Sequence, residues 1–134
     1  MRKLSRKRGP RKHLLKNLVS SLILYEGITT TQARAKEVRR VFARVNSFAR
    51  TKTLAGYRQL RASLTAPAAK KMHENLSARI EDSSGAIRIT SIGTRSGDNA
   101  PLSRVELIAK EPIVAEKKTT KGEVKPKKAV GSKK

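Results

Sequence analysis

The segment 32–50 carries the pattern that most narrows the folds open to this chain. Its apolar residues recur with the 3.6-residue period of an α-helix; they are Val38, Val41, Phe42, Val45, Phe48 and Ala49. At about 100° per residue, the opposite side of that helix collects Lys36, Arg39, Arg40 and Arg50, with Arg44 at its edge. The pattern predicts a helix that packs one face on a core and presents a positive ridge on the other.

Apolar periodicity also predicts three more helices around this segment. The first, over 11–25, has apolar residues at i, i+4 and i+8 and is ended by Gly27. Another covers about 53–64, and Pro67 suits the first turn of the last one. The apolar residues of that last helix, spaced by four, are Met72, Leu76 and Ile80.

Strand patterns lie mainly in the second half of the chain. Apolar and polar residues alternate at 87–90 and again at 104–107, which predicts two strands. The turn-forming residues 93–101 between them indicate a reversal. The β-favouring residues 28–31 suggest a further short strand, and one of its threonines can cap the helix that follows. The predicted fold class is α+β, with a small mixed sheet of about three strands packed against helices.

Positive charge is concentrated in three stretches of the chain. Of 134 residues, 32 are Lys or Arg and 10 are Asp or Glu, so the formal net charge is +22. Residues 1–16 hold eight basic side chains and no acid, and residues 31–61 hold nine against one acid. Residues 111–134 carry eight Lys and three Glu among few apolar side chains, a composition typical of disorder. We expect a basic arm over 1–10, a globular domain over 11–110 and a disordered Lys-rich tail over 111–134.

The residues that could serve in catalysis form no recognisable motif. His13 and His73 are isolated in the sequence, and there is no Cys. Neither a G-x-S-x-G nucleophile elbow nor a G-x-x-x-x-G-K phosphate loop occurs. No apolar run approaches the roughly 18 residues of a membrane span. We therefore expect no enzyme activity, no metal or other cofactor, no small-molecule substrate and no membrane contact.

So large a positive charge requires a polyanionic partner, because the charges would otherwise repel one another. The basic block 1–16 and the ridge on 32–50 suit phosphates, whose neutralisation releases condensed counterions. The turn at 93–101 either only builds a hairpin or also leaves Arg95 free to reach a phosphate. Two of the four aromatic rings, Phe42 and Phe48, fall on the core stripe, which disfavours base stacking. These residues predict recognition of phosphate and shape, and leave folded RNA and duplex DNA both open.

Four stretches of the sequence carry a resemblance to a known family. They are RKLSR at 2–6, RKHLLKNLVSSLI at 11–23, ITTTQARAKEVR at 28–39 and IRITSIGTRSGDNAPLSRVELI at 87–108. The most distinctive part is R-x-G-D-x-A-P at 95–101, followed by a strand that contains V-E-L. With these stretches the chain resembles the bacterial family of large-subunit ribosomal protein seventeen. It departs from that pattern in a shorter N-terminus and in Ser84-Gly85-Ala86, where the family usually has G-G-Y.

The resemblance implies an α+β constituent of the large ribosomal subunit, in the cytoplasm, that binds and stabilises ribosomal RNA and supports translation. It also implies neighbouring large-subunit proteins near the exit-tunnel side. The basic residues expected to contact RNA are Arg2, Lys3, Arg6, Lys7, Arg8, Arg11, Lys12, Lys16, Arg34, Lys36, Arg39, Arg40 and Arg95. The alternative is a nucleoid-type DNA-compacting protein, because the same charge would suit it.

Overall fold

The computed structural model describes residues 2–80 and 86–109. In chain order its elements are α1 (Arg8–Tyr25), β1 (Gly27–Thr31), α2 (Gln32–Arg50), α3 (Leu54–Ser63), α4 (Ala66–Lys71), a π-helical turn (Met72–Leu76), α5 (Ser77–Arg79), β2 (Ile87–Thr94) and β3 (Pro101–Leu107). The predicted α+β class is confirmed. Because α1 begins at Arg8, the end of the predicted arm 1–10 is helical. The predicted disordered tail, 111–134, lies outside the described residues, and the proposed division into arm, domain and tail stays a prediction.

Helix α2 contributes the largest side chain of the hydrophobic core. Val38, Phe42, Val45 and Ala49 are buried, with at most 2% of each exposed, as the 3.6-residue period predicted. These residues pack with buried side chains of α1, α3, the segment 66–80 and the sheet. Burial of this apolar face is what holds α2 in place, since each large aliphatic or aromatic side chain contributes about 1.5–3 kcal/mol when removed from water.

The segment 66–80 is helical up to Arg79 but changes its hydrogen-bonding step in the middle. The Ser77 amide donates to the Met72 carbonyl, the i to i+5 bond of a π-turn. A wider turn holds more residues, so apolar side chains spaced by four remain on one side. Met72, Leu76 and Ile80 are accordingly all buried. Pro67 lies in the first turn of α4, as predicted.

The sheet has three strands in the order β1-β3-β2, with β3 in the centre. Both pairings are antiparallel, so the prediction of a mixed sheet is wrong in strand direction. The reversal at 93–101 returns β3 directly beside β2, which makes that pair antiparallel. β1 then pairs with the other edge of β3, with Ile28 opposite Val105 and Thr31 opposite Leu102. Thr31 is the N-cap residue of α2, although its side chain makes no capping hydrogen bond.

A carboxylate at the end of α1 joins that helix to the segment 66–80. Glu26 ends α1 in a left-handed conformation, with φ of 60°. Its two carboxylate oxygens accept hydrogen bonds from the Arg79 guanidinium at 3.0 and 3.2 Å. Lys71 Nζ lies 3.0 Å from the same carboxylate and donates to the Leu24 carbonyl at 2.9 Å, where the helix dipole favours a cation. These bonds, that from Arg79 first and that from Lys71 next, lower the pKa of Glu26.

Gly56 permits a close approach between α3 and the end of α2. A Cβ at this position would lie 2.7 Å from the Phe48 carbonyl oxygen and 2.6 Å from Thr51 Oγ1. We expect Gly56→Ala to destabilise the protein by about 1–3 kcal/mol through overpacking, although Ala ordinarily favours a helix over Gly. Gly9→Ala is the matched control, because no atom lies within 4 Å of its Cβ position. Equal urea midpoints for the two variants would contradict the close approach.

The ion pairs of Glu26 with Lys71 and Arg79, here called the Glu26 cluster, make the stability of the protein depend on pH. A folded-state pKa below the ordinary value of 4.5 for a glutamate adds stability above the unfolded-state pKa, and this stability is lost as the pH falls through the folded-state pKa. Glu26→Gln should therefore cost about 1 kcal/mol at pH 7, a value reduced for solvent exposure of the cluster. The difference in the free energy of unfolding between Glu26→Gln and the unaltered protein should become smaller in acid. Urea unfolding across the pH range measures it, with the exposed Glu74→Gln as control; a difference independent of pH would refute the assignment.

Candidate nucleic-acid interface

The N-terminal segment before α1 folds into a tight turn. The Arg6 amide donates to the Lys3 carbonyl at 3.2 Å, and the two residues between them, Leu4 and Ser5, have φ of 54° and 51°. Left-handed backbone at residues other than glycine costs about 1–2 kcal/mol each, so such a turn requires support from its surroundings. The turn leaves the side chains of Lys3, Arg6 and the following Lys7 exposed.

The support comes from α2. The Arg2 backbone amide donates to Glu37 Oε1 at 3.0 Å, a contact between residues 35 apart in the chain. The Glu37 side chain is only 4% exposed, and Arg40 Nη1 lies 3.9 Å from the same oxygen. A buried carboxylate on α2 thus anchors the start of the basic arm beside the basic ridge.

The first turns of α1 extend past the hydrophobic core. Arg8 and Lys12 precede the buried Leu15 and Val19 by seven residues, so they share the core-facing side of the helix. Both basic side chains are nevertheless exposed, which means that no core element covers this part of the face. Arg11 and Lys16 are partly buried nearby. The same helix face that packs inside the protein is therefore cationic and open at its N-terminal end.

Of the four α2 residues predicted to contact RNA, the structure brings three together. Lys36, Arg39 and Arg40 are exposed and fall within an arc of about 100° on one side of the helix. Arg34 lies outside this arc and is half-buried. The three cations line a groove of about 380 Å³ between α2 and the start of β2. Phe42 and Ile87 contribute to its lining, so the groove combines an apolar base with a cationic rim.

The turn between β2 and β3 carries the remaining predicted residue, Arg95. Its guanidinium is bound side-on by the Asp98 carboxylate, with Nε donating to Oδ1 at 3.0 Å and Nη2 donating to Oδ2. Arg95 is thus paired within the turn and its side chain is 54% exposed, and a contact between Arg95 and RNA stays a prediction. The pairing raises the pKa of Arg95 and lowers the pKa of Asp98 to about 2, chiefly through the hydrogen bonds between the two side chains.

Some residues that bear on the charge of the protein surface were not among the predicted contacts. Arg58 and Arg61 on α3 are also exposed, and only the basic count of residues 31–61 pointed to them. Nothing in the sequence around Glu37 indicates that it anchors the arm, because its hydrogen-bond partner, Arg2, is 35 residues away. Asp98 does have one, since opposite charges spaced i and i+3 within a turn can pair.

Among the described residues, charged surfaces are the main feature from which a function can be inferred. Among them, no group of three or more His, Cys, Asp or Glu side chains could hold a metal ion. Within the same residues no helix combines the length and apolarity needed to cross a bilayer. The arm, the start of α1 and the ridge on α2 instead present cations from one small domain. Fold and surface together define a small basic α+β protein suited to a polyanionic partner.

Sequence comparison places the chain within that class. The family described as Ribosomal protein L17 matches residues 14–108. The chain is 40% identical over 109 residues to the large ribosomal subunit protein bL17 of Desulforudis audaxviator and 38% identical over 109 residues to that of Caldanaerobacter subterraneus. Each alignment covers 80% of this chain and 97% of the relative. The chain belongs to the ribosomal protein L17 family, which confirms the resemblance and the prediction that it is not an enzyme.

The anchor between Arg2 and Glu37 predicts how the arm responds to proteolysis. Glu37→Ala removes the acceptor and should speed tryptic cleavage at Lys3 and Arg6 about tenfold, because hydrogen bonds to charged groups contribute about 1.5–3 kcal/mol. Glu37→Gln keeps an oxygen acceptor at the same place and should change the rate much less. Circular dichroism checks that both variants are folded. Identical cleavage of the Ala variant and the unaltered protein would show that the arm is not held by Glu37.

Proposed function

We propose that this protein is a structural constituent of the large ribosomal subunit, in the cytoplasm, that binds and stabilises ribosomal RNA and so supports translation. The observation that carries the proposal is the grouping of exposed cations on the arm, the first turns of α1 and the ridge of α2. Family membership supports it, since relatives covering nearly the same length are named large ribosomal subunit proteins. The protein acts by binding alone.

The mechanism is electrostatic. Each Lys or Arg that neutralises a phosphate releases condensed counterions, which gives strong, salt-sensitive affinity with little sequence discrimination. Arm and ridge side chains lie between RNA segments and screen their mutual repulsion. The proposed phosphate contacts are Arg2, Lys3, Arg6, Lys7, Arg8, Arg11, Lys12, Lys16, Arg34, Lys36, Arg39 and Arg40. Arg95 is proposed to contact the RNA through the exposed side of its guanidinium, although its pairing with Asp98 leaves it no net charge to neutralise a phosphate.

The placement of the aromatic rings supports recognition of phosphate and shape over base stacking. Phe42 is buried in the core, and Phe48 is half-buried against it. Tyr57 is also half-buried and packs on His73, with ring centroids 5.3 Å apart. Only Tyr25 of the four rings is exposed, at 76%. Proteins that bind unpaired bases generally present several rings as a stacking platform.

Neighbouring large-subunit proteins near the exit-tunnel side are the second proposed partner. This finer placement rests on the family resemblance. The surface that suits a protein neighbour is apolar: Tyr25 and Ile108 are both exposed at the same end of the sheet. The Leu107 amide donates to the Glu26 carbonyl at 2.9 Å, which brings the chain segments of these two residues together.

The electrostatic mechanism predicts a change in salt dependence. Replacing Arg6, Arg8, Arg11 and Lys12 with Gln should weaken binding to a large-subunit ribosomal RNA transcript and reduce the slope of log affinity against log salt by about 3. Filter binding at several salt concentrations measures the slope. The charge-matched control replaces four exposed cations outside the arm, the first turns of α1 and the ridge with Gln, and it should change the slope less. These cations are Lys52, Lys70, Arg88 and Arg104. An unchanged slope in the arm variant would refute the mechanism.

The cellular prediction concerns the particle that the protein joins. In a sedimented cell extract we expect co-migration with large subunits that persists in moderately high salt. Migration with DNA would contradict the proposal and favour the DNA-compacting alternative.

A further inference from the structure

The hairpin between β2 and β3 extends past the rest of the sheet. β1 ends at Thr31, opposite Leu102, so residues 94–101 have no third strand beside them. The backbone of this tip is closed by a hydrogen bond from the Arg95 amide to the Ala100 carbonyl at 3.0 Å. Gly97 and Asn99 have φ of 100° and 49°, the left-handed values that a tight reversal requires. The tip is a folded projection able to enter a recess in RNA.

Asp98 holds Arg95 in one orientation. It takes the Nε and Nη2 hydrogens on one side of the guanidinium, while Oδ1 also accepts from the Ala100 amide at 3.3 Å. A guanidinium has five N–H donors in a plane. The three outside the pair, two on Nη1 and one on Nη2, form a second edge with two parallel donors. The side chains of Arg95 and Asp98 are 54% and 51% exposed, so this edge is accessible.

The charge of the pair distinguishes it from the cations of the arm and ridge. The Arg95 hydrogen bond lowers the pKa of Asp98 to about 2, so the carboxylate is ionised at neutral pH and the pair is neutral. A phosphate approaching Arg95 would meet the negative charge of Asp98 a few ångströms away. An uncharged ligand with two adjacent acceptors would not be repelled. The O6 and N7 atoms of guanine are such an acceptor pair, and two parallel Arg donors match them.

We propose that the hairpin tip recognises a guanine base in ribosomal RNA, with Arg95 donating to O6 and N7 and Asp98 positioning it. This inference rests on the proposed RNA-binding function and adds a base-reading contact to it. The deep, narrow major groove of an A-form helix excludes side chains, so the guanine lies in a loop, a bulge or a helix end. The tip then fixes the register of a protein otherwise attracted to any dense array of phosphates.

Methylation by dimethyl sulfate tests the proposal, because this reagent modifies guanine N7. In the complex of the full-length protein with a large-subunit ribosomal RNA transcript, we expect protection of a guanine that depends on the tip. Arg95→Lys keeps the charge but loses the parallel donors, so this protection should be lost and the affinity should fall about 5- to 150-fold. The control Arg88→Gln removes an exposed cation from the same hairpin and should leave the protection intact.

Asp98→Asn discriminates between a base and a phosphate by the sign of its effect. The substitution removes a negative charge, so a phosphate ligand predicts tighter binding. Guanine recognition predicts weaker binding and loss of protection, because Arg95 is no longer held by a carboxylate. A transcript with 7-deazaguanine at the protected position should bind the unaltered protein more weakly than the ordinary transcript does. Arg95→Lys should bind the 7-deazaguanine transcript no more weakly than it binds the ordinary one.

The outcomes separate this inference from the proposed function. If the unaltered protein fails to bind ribosomal RNA at all, the proposed function is overturned, and this inference with it. If it binds but protects no guanine through the tip, or if Asp98→Asn binds more tightly with unchanged protection, the guanine contact alone is refuted. Circular dichroism of the exposed-site variants confirms that each is folded.

Discussion

The two-sided character of α2 is the constraint on which the rest of the structure depends. Its apolar face buries Val38, Phe42 and Val45 in the core, while Lys36, Arg39 and Arg40 point outward. Cations that share one face repel one another, and this repulsion lowers the stability of the compact state. Burial of the opposite face offsets the cost, because it removes several large apolar side chains from water. The core therefore makes it possible to hold a row of like charges at fixed spacing, ready for a polyanion.

Elements defined by local periodicity could be predicted from the sequence, and those defined by distant partners could not. The helical stripe of 32–50 and the alternation at 87–90 and 104–107 placed α2, β2 and β3 closely, since burial of one face imposes the pattern. The direction of β1 in the sheet has no such signal, because it depends on the path of the chain between strands. Glu37 and Asn46 are buried on α2 although both are polar. For Glu37 the reason is the arm, which folds back from residue 2 onto the helix.

The candidate site divides in the same way. The acid-free run 1–16 and the ridge indicated exposed cations, because so many charges cannot be buried together. The helical period already puts Arg34 outside the ridge, but neither period nor composition could show that Asp98 holds Arg95. That pairing depends on the turn geometry around Gly97 and Asn99. Charge counts thus indicated where we expect the affinity for RNA to come from, while three-dimensional structure was needed to find a group held in one orientation.

This difference bears on how a strongly basic protein settles at one place on a long RNA. Phosphates recur along the whole RNA, so the proposed contacts of the arm and ridge with them have similar energies at many positions. Further cations on the protein would strengthen binding at every position on the RNA alike, so they would not favour one position over another. A contact that distinguishes one base adds energy at a single register, and a good bidentate pair contributes about 1–3 kcal/mol of discrimination. The proposed guanine contact of the neutral, pre-positioned Arg95–Asp98 pair would meet that need, because it adds discrimination without adding to the net charge.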